Sequence, residues 1–267
     1  MLISDLTIVR RLALAACALS MGLFLAACSD SDDKSKDAAK ATTETTTTTE
    51  AKPADAAKTD TKAETKTDTA AATPAKPAVD VPASEGSVDV AKLMEPGPLE
   101  EAFIGKVDAP VTIVEYMSMT CPHCARFHAE TFDGIKTKYV DTGKVRFILR
   151  EYPLDLKATA AIMLARCAPK EQYFSLVAAL FHSQITWATA DDTRGALLQM
   201  AKLAGFTQES FNACLTNQKL LDDVNAVRSK ADKEFGVQST PTFFINGDKF
   251  SGEMTVDQMS AIIDSKL

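Results

Sequence analysis

Cys121 and Cys124 lie two residues apart in the stretch "MTCPHCARFHAE", residues 119–130. Two thiols at this spacing can bind a metal, form a structural disulfide, or exchange their oxidation state with the thiols of other proteins. With His128 the pair reads C-x2-C-x3-H, and zinc accepts such donors. A closed zinc site needs a fourth ligand, and none follows at a recognisable spacing. We therefore predict no metal site here.

A structural disulfide across so small a loop would add little to the stability of a fold. Thiol exchange, in contrast, gives each residue of this motif a role. At the start of a helix, Cys121 faces unpaired N–H groups and the positive end of the helix dipole, which favour its thiolate. Pro122 suits the first helical turn. His123 can donate to the Cys121 sulfur or carry a charge beside it, which lowers the pKa of that thiol. Cys124, one turn further on, is the expected resolving thiol.

The N-terminus predicts export from the cytosol. Two arginines precede an apolar run, residues 12–27, which is shorter than a comfortable membrane span and ends in small residues. We interpret residues 1–27 as a signal peptide. It ends in "LAAC", which resembles the lipobox of bacterial lipoproteins, so Cys28 is the expected lipidation site. A cleaved signal without lipid and an uncleaved anchor are the alternatives, and all three readings export the domain.

Composition separates a linker from a folded domain. Residues 28–86 are rich in Ala, Thr, Lys and Pro and contain no aromatic residue, which predicts a disordered linker. The chain of 267 residues is 46% apolar, enough for a sizeable core, which we place in residues 87–267. Its formal net charge is −7, and the lack of a strongly basic segment argues against nucleic acid as a partner.

Hydrophobic periodicity predicts a strand–helix–strand unit, then helices, then a hairpin and a last helix. The Asn246-Gly247 pair between two apolar runs is a strong signal for a two-residue hairpin turn. A helical insertion is expected at about residues 155–236. The predicted strands are 111–117 and 145–152 with the hairpin 242–250, and the predicted helices are 121–140, 157–167, 171–184, 193–204, 208–215, 218–234 and 255–266.

This order of elements resembles the thioredoxin fold, and the helical insertion is similar to that of the DsbA family of exported thiol oxidases. The resemblance covers about residues 88–267. It rests on "CPHC" at 121–124, on "TP" at 240–241 before the third strand, and on Glu115 six residues ahead of the first cysteine. The implied fold class is α/β, a thioredoxin fold with an inserted all-helical subdomain.

The resemblance implies roles for three further residues. Glu115 would be the buried acid beneath the resolving cysteine, relaying its proton; a structural acid satisfied by a partner is the alternative. Pro241 would be cis and would present the backbone of Thr240 to an extended substrate strand. The enteric oxidase carries a bulkier aliphatic residue before this proline, and threonine is shared with isomerases. An isomerase or reductase therefore remains an alternative to an oxidase.

Cys167 and Cys214 lie in separate predicted insertion helices. Two buried free thiols are one interpretation. In an exported domain an even pair of this kind forms a bridge, which is our prediction. His128 and His182 are expected to lie at the surface or the core edge, with no catalytic part.

The sequence thus predicts a periplasmic thiol:disulfide oxidoreductase that is tethered to a membrane through Cys28. It would use Cys121 and Cys124, without a cofactor, to introduce disulfides into reduced, unfolded exported proteins. A membrane oxidase of the DsbB type is the expected recharging partner. A disulfide isomerase or reductase with the same site, and a peptide- or metal-handling module without turnover, are the competing hypotheses.

Overall fold

The computed structural model describes residues 79–267. The predicted signal peptide, the lipidation site Cys28 and the linker as far as residue 78 lie outside the described residues. Five strands form one sheet: β1 Ala102–Ile104, β2 Val111–Met117, β3 Val145–Glu151, β4 Thr242–Ile245 and β5 Asp248–Ser251. The α-helices are α1 Val90–Leu93, α2 Pro122–Glu130, α3 Phe132–Ile135, α4 Leu156–Cys167, α5 Tyr173–His182, α6 Gln184–Ala188, α7 Thr193–Leu203, α8 Gln208–Leu215, α9 Gln218–Phe235 and α10 Val256–Asp264.

The sheet is mixed, with the strand order β1-β3-β2-β4-β5. Strands β2 and β3 are parallel and are connected through α2 and α3, as the predicted strand–helix–strand unit requires. The other neighbouring pairs are antiparallel. Central strand β2 is nearly continuous in apolar residues because helices cover the sheet on both faces. The observed architecture is the predicted α/β thioredoxin-like fold.

The two faces of β2 point into different parts of the core. Val114 and Tyr116 pack with α9, which contributes Phe235 to that side. Ile113 and Met117 point into the larger cluster, which includes the buried residues of α2, α10 and the insertion helices. Side chains alternate along a strand, so Glu115 lies on this second face, under α2. This register places a carboxyl group below the helix whose N-cap is Cys121 and which contains Cys124.

Two chain reversals depend on residues that tolerate positive φ. Asn246 and Gly247 join β4 to β5 with φ values of 47° and 91°, which fits the two-residue hairpin predicted from the sequence. Gly236 ends α9 in the left-handed conformation, with φ 62°. Its carbonyl accepts a hydrogen bond from Lys249. These turns bring the chain from the insertion back to the sheet.

The insertion is helical from α4 to α9, as predicted, and carries one disulfide among the described residues. Cys167, at the end of α4, is bonded to Cys214 in α8, with their Cα atoms 6.0 Å apart. The two bridged cysteines are 47 residues apart along the chain. Among residues 79–267, no helix has the length and apolar character needed to cross a membrane.

The structure differs from the sequence prediction in three places. The helix predicted over 121–140 is interrupted at Thr131, whose hydroxyl donates to the Met254 carbonyl, and its last turn, Lys136–Val140, is a π-helix. The short elements α1, β1 and α6 were not predicted. Residues 79–86, assigned to the linker, include backbone that pairs with β5: Glu85 donates to the carbonyl of Lys249. The end of the predicted linker is therefore part of the folded domain.

Candidate active site

Cys121 lies at the N-terminus of α2. It is the N-cap residue, with φ −75° and ψ 120°, and Pro122 occupies the first helical position. The first N–H groups of a helix have no partner within it, so they are available to the Cys121 sulfur. Cys121 and Cys124 are both buried and are both free thiols in this structure. The motif thus places one sulfur at the end of the helix and the other one turn inside.

Hydrogen bonds lower the pKa of Cys121 from 9.0 to about 5. The largest contribution is the hydrogen bond from the Cys124 thiol, followed by those from Thr240 and from the backbone N–H groups of Cys124 and His123. Burial acts in the opposite direction because it disfavours the charged form, but the hydrogen bonds outweigh it. Cys121 is therefore a thiolate at neutral pH, the form that reacts with disulfides.

The pKa of Cys124 is shifted in the opposite direction, well above 9.0. Burial is the largest cause, because Cys124 is fully enclosed, and the hydrogen bond to Cys121 and the negative charge of Glu115 add to it. Cys124 thus keeps its proton at neutral pH while Cys121 is ionised. The two thiols of one motif are chemically distinct: one is a ready nucleophile, and the other becomes nucleophilic after losing a proton.

The segment before β4 lies against Cys121. The peptide bond between Thr240 and Pro241 is cis. The Cys121 thiol donates a hydrogen bond to the Thr240 carbonyl oxygen, 3.1 Å from Sγ. This bond is lost on ionisation, since a thiolate has no proton to donate. The Thr240 hydroxyl is buried without a partner among the described residues, so it can donate to the thiolate instead.

Glu115 and His128 form a buried pair below α2. The side chain of Glu115 is fully buried, that of His128 is 6% exposed, and Oε2 lies 3.1 Å from Nε2. The imidazole stacks on Phe181 of α5, with ring centroids 4.6 Å apart. We did not predict this contact from the sequence. The sequence did indicate that His128 lies beside Cys124, because the two residues are four apart and share one face of a helix. His182, by contrast, is exposed.

The imidazole of His123 points toward Glu253, and no hydrogen bond joins it to Cys121 in the described structure. Its Nδ1 lies 3.5 Å from the Glu253 carboxylate, which also pairs with Arg126. The imidazole is more than half exposed. In this structure, His123 stabilises the Cys121 thiolate through its backbone N–H.

The sequence did not single out the residue that fixes the active-site loop, residues 118–121 between β2 and α2, to the insertion. Gln184, the first residue of α6, is buried, and its side-chain amide donates to the carbonyls of Met119 and Cys121 at 2.8 and 2.9 Å. On the same loop, the Thr120 hydroxyl donates to Asp155 at 2.6 Å. A polar residue in an apolar helix does not by itself predict a contact with this loop. The residues that Gln184 binds lie more than 60 positions away along the chain, so no local pattern points to them.

Within residues 79–267, no cluster of three or more His, Cys, Asp and Glu side chains has the arrangement of a metal site. His128 is the third donor of the C-x2-C-x3-H pattern, and its Nε2 is hydrogen-bonded to Glu115. Pro241 directly follows Thr240, whose carbonyl oxygen contacts the Cys121 sulfur. The arrangement suits thiol chemistry: an ionised thiol at the helix end, a protonated thiol behind it, and a buried acid below.

Comparison with known proteins identifies the same fold. A family model described as thioredoxin matches residues 99–265. The crystal structure of Wolbachia pipientis alpha-DsbA1 is 34% identical and has a TM-score of 0.61, over 65% of this chain and 94% of that one. The structure of oxidised BdbD from Bacillus subtilis, 22% identical with a TM-score of 0.54, covers 62% of this chain and 92% of that one and shows the likeness of fold alone.

A curated relative in Rickettsia bellii, named as a proposed protein-disulfide oxidoreductase, is 32% identical over 169 residues. The match covers 61% of this chain and 63% of that protein. The chain thus spans about three fifths of the length of the curated relatives it matches first. The family model covers more than half of the chain, and the Wolbachia protein is covered almost in full. The chain belongs to the thioredoxin family and, within it, to the DsbA-like thiol:disulfide oxidoreductases.

Proposed function

We propose that the protein is an exported thiol:disulfide oxidoreductase that introduces disulfide bonds into other exported proteins through Cys121 and Cys124. The observation that carries the proposal is the opposite shift of the two thiol pKa values, to about 5 for Cys121 and well above 9.0 for Cys124. A stabilised thiolate stabilises the reduced protein. Its disulfide is then a strong oxidant, because exchange runs toward the better leaving thiolate.

The exchange cycle has two steps. A substrate thiolate attacks Cys121 Sγ of the oxidised protein, the Cys121–Cys124 bond breaks, and its electron pair leaves on Cys124 Sγ, which takes up a proton. A second substrate thiolate then attacks the substrate sulfur of the mixed disulfide and releases Cys121 as a thiolate. The substrate gains a disulfide and loses two electrons, which the protein holds as a thiol and a thiolate.

Reduced, unfolded exported proteins are the proposed substrates. The exposed apolar side chains of Leu154, Leu156 and Ile185 lie on segments next to the active-site loop. Leu154 donates its N–H to Ser118 of that loop, and Ile185 follows Gln184, which binds it. Such a surface suits apolar segments of an unfolded chain. Thr240, beside Cys121, supplies backbone groups for an extended strand.

An external oxidant must restore the disulfide after each turnover. A membrane oxidase of the DsbB type is the proposed recharging partner, and the periplasm is the proposed compartment, with the lipid on Cys28 as the tether. These assignments rest on the N-terminal sequence and on the family. The mature protein would then act close to a membrane.

Oxidative refolding tests the proposed activity. The oxidised protein is mixed with a reduced, unfolded ribonuclease, and the return of ribonuclease activity and the loss of free thiols are followed. We expect turnover when oxidised glutathione is supplied, and none with Cys121→Ser. Rescue only of a ribonuclease with scrambled disulfides would assign isomerase activity instead. No exchange with either substrate would leave a binding module without turnover.

A further inference from the structure

The buried pair of Glu115 and His128 has one polar atom without a partner. Oε2 of Glu115 is 3.1 Å from His128 Nε2, but Oε1 has no hydrogen-bond partner among the described residues. A buried carboxylate oxygen without a partner is costly. Such an atom calls for an explanation, and a role in catalysis is one of those that apply to native structures. The neighbouring groups indicate what that task is.

Cys124 lies close enough to Glu115 to sense its charge. The Glu115 carboxylate is one of the causes that raise the pKa of Cys124, after burial and the hydrogen bond to Cys121. Cys124 and His128 are one helical turn apart on α2, on the face toward β2. Tyr173 of α5 also senses the charge of Glu115, and its pKa is raised chiefly by burial. The acid therefore lies between a thiol that must lose a proton and an imidazole that can accept one.

The surroundings of His128 are aromatic. Phe181 stacks on one side at 4.6 Å and Phe132 approaches at 4.9 Å between ring centroids, while Phe127 contacts its edge. These rings fix the imidazole and exclude most water from it. The 6% exposure of the side chain nonetheless leaves a path to solvent. An imidazole has two ring nitrogens, so a histidine can accept a proton at one and release a proton from the other.

We propose that His128 is a positioning residue that holds Glu115 and carries the proton of Cys124 between that carboxylate and solvent. The inference rests on the proposed function, because it assigns a residue to the same exchange cycle. Its bond to Oε2 fixes the carboxylate and leaves Oε1 free to exchange a proton with Cys124. The buried acid then communicates with solvent without a water channel.

The step assigned to the pair is the resolution of a mixed disulfide on Cys121. Cys124 gives its proton to Glu115 and, as a thiolate, attacks Cys121 Sγ. The bond between Cys121 and the partner sulfur breaks, its electron pair leaves on that sulfur, and the partner thiolate takes a proton from water. Glu115 passes its new proton to His128, which releases one to solvent. When Cys124 becomes the leaving group, the proton moves in the opposite direction.

The reaction of the reduced protein with dithionitrobenzoate separates the two thiols. The first release of thionitrobenzoate reports the attack of Cys121 and depends on reagent concentration. The second release reports resolution by Cys124, and its rate does not depend on the reagent concentration. We expect His128→Gln, which keeps a polar group beside Glu115, to slow the second release by roughly tenfold at neutral pH, below the full effect of a general acid–base group. The first release should stay within about twofold of wild type.

The pH profile distinguishes proton transfer from packing. The wild-type and His128→Gln rates of the second release should converge at high pH, where hydroxide ionises Cys124 directly. Glu115→Gln should also slow this release, and the double variant should be no slower than Glu115→Gln alone, because both residues act in one path. His128→Phe, which fills the aromatic site without a proton carrier, should be as slow as His128→Gln. The exposed His182→Gln is the matched control and should leave both releases unchanged.

Equal second-release rates for wild type and folded His128→Gln across the pH range would overturn the inference and leave the proposed function intact. A slowing that is the same at every pH would also overturn it, because a packing defect has that profile. If wild type shows neither release, the proposed function fails and the inference fails with it. These outcomes can be told apart in a single series of measurements.

Discussion

The thiol of Cys121 and the carbonyl of Thr240 are joined by a hydrogen bond of 3.1 Å, across 119 residues of sequence. This contact brings the helix that activates the sulfur together with the segment that precedes the cis-proline. A single residue thus contacts the reactive thiol and, in the proposed function, would offer backbone groups to a substrate strand. Thr240 can therefore influence both the chemistry and the recognition step.

Thr240→Val should raise the pKa of Cys121 by roughly one unit, equivalent to about 1.4 kcal/mol. Valine has the same shape but lacks the hydroxyl that can donate to the thiolate. The ultraviolet absorbance of the thiolate against pH measures the shift. Thr240→Ser keeps the hydroxyl and should stay close to wild type. An unchanged pKa in the valine variant would mean that the hydroxyl does not reach the sulfur.

Cys124→Ala should raise the pKa of Cys121 more than His123→Ala does. The thiol of Cys124 is the largest contributor to the lowered pKa, whereas His123 contributes its backbone N–H, which alanine retains. The same absorbance titration ranks the two variants. A larger shift with His123→Ala would place the imidazole beside the sulfur in solution, away from Glu253.

Replacing both Cys167 and Cys214 with alanine should lower the free energy of unfolding by roughly 3–4 kcal/mol, since the bridge closes a long loop in the unfolded chain. Thiol exchange should persist, because the pair joins α4 to α8 and lies outside the redox motif. Urea unfolding and the dithionitrobenzoate reaction measure the two effects. Alkylation of both thiols in unreduced, denatured protein would contradict the bridge in solution.

Cys28→Ala should release the protein from membranes while leaving exchange in solution intact, because the proposed tether is the lipid on that cysteine. Cell fractionation and mass spectrometry of the mature N-terminus test this prediction. An unmodified mature N-terminus in the wild-type protein would exclude the lipid anchor. A cleaved signal without lipid and an uncleaved anchor would then be the remaining explanations of export.

The fold was largely predictable because its main elements have local signals. The apolar run of β2, the Asn246-Gly247 turn and the periodicity of the insertion helices each depend on neighbouring residues. The three-residue strand β1 has no such signal, since it exists through its pairing with β3. The interruption at Thr131 likewise depends on a contact with Met254, on the far side of the insertion.

The candidate site was predictable to the extent that it lies in one motif. Cys121, Cys124 and the buried position of Glu115 follow from short stretches of sequence. The contact of His128 with Glu115 depends on how α2 lies over β2, and the bonds of Gln184 depend on how the insertion closes over the loop. The spacing of Cys124 and His128 indicates only that they share a helix face, and neither contact follows from spacing alone because its partners lie elsewhere in the chain.

We propose that the protein is an oxidant because its reduced form is the more stable one. The lowered pKa of Cys121 stabilises the reduced fold above pH 5, increasingly up to about pH 9, and this stabilisation is lost as pH falls through the folded pKa of about 5. At pH 8 it is worth about 4 kcal/mol, at roughly 1.4 kcal/mol per pH unit. The Cys121–Cys124 disulfide closes a four-residue loop, which stabilises the oxidised form by only about 2 kcal/mol.

Urea unfolding of the reduced and oxidised proteins between pH 5 and pH 8 tests this claim most directly. We predict that the oxidised form is the more stable at pH 5, that the order reverses as pH rises, and that the reduced form is more stable by about 2 kcal/mol at pH 8. A pH-independent difference, or an oxidised form that stays the more stable up to pH 8, would contradict the account and favour a reductase.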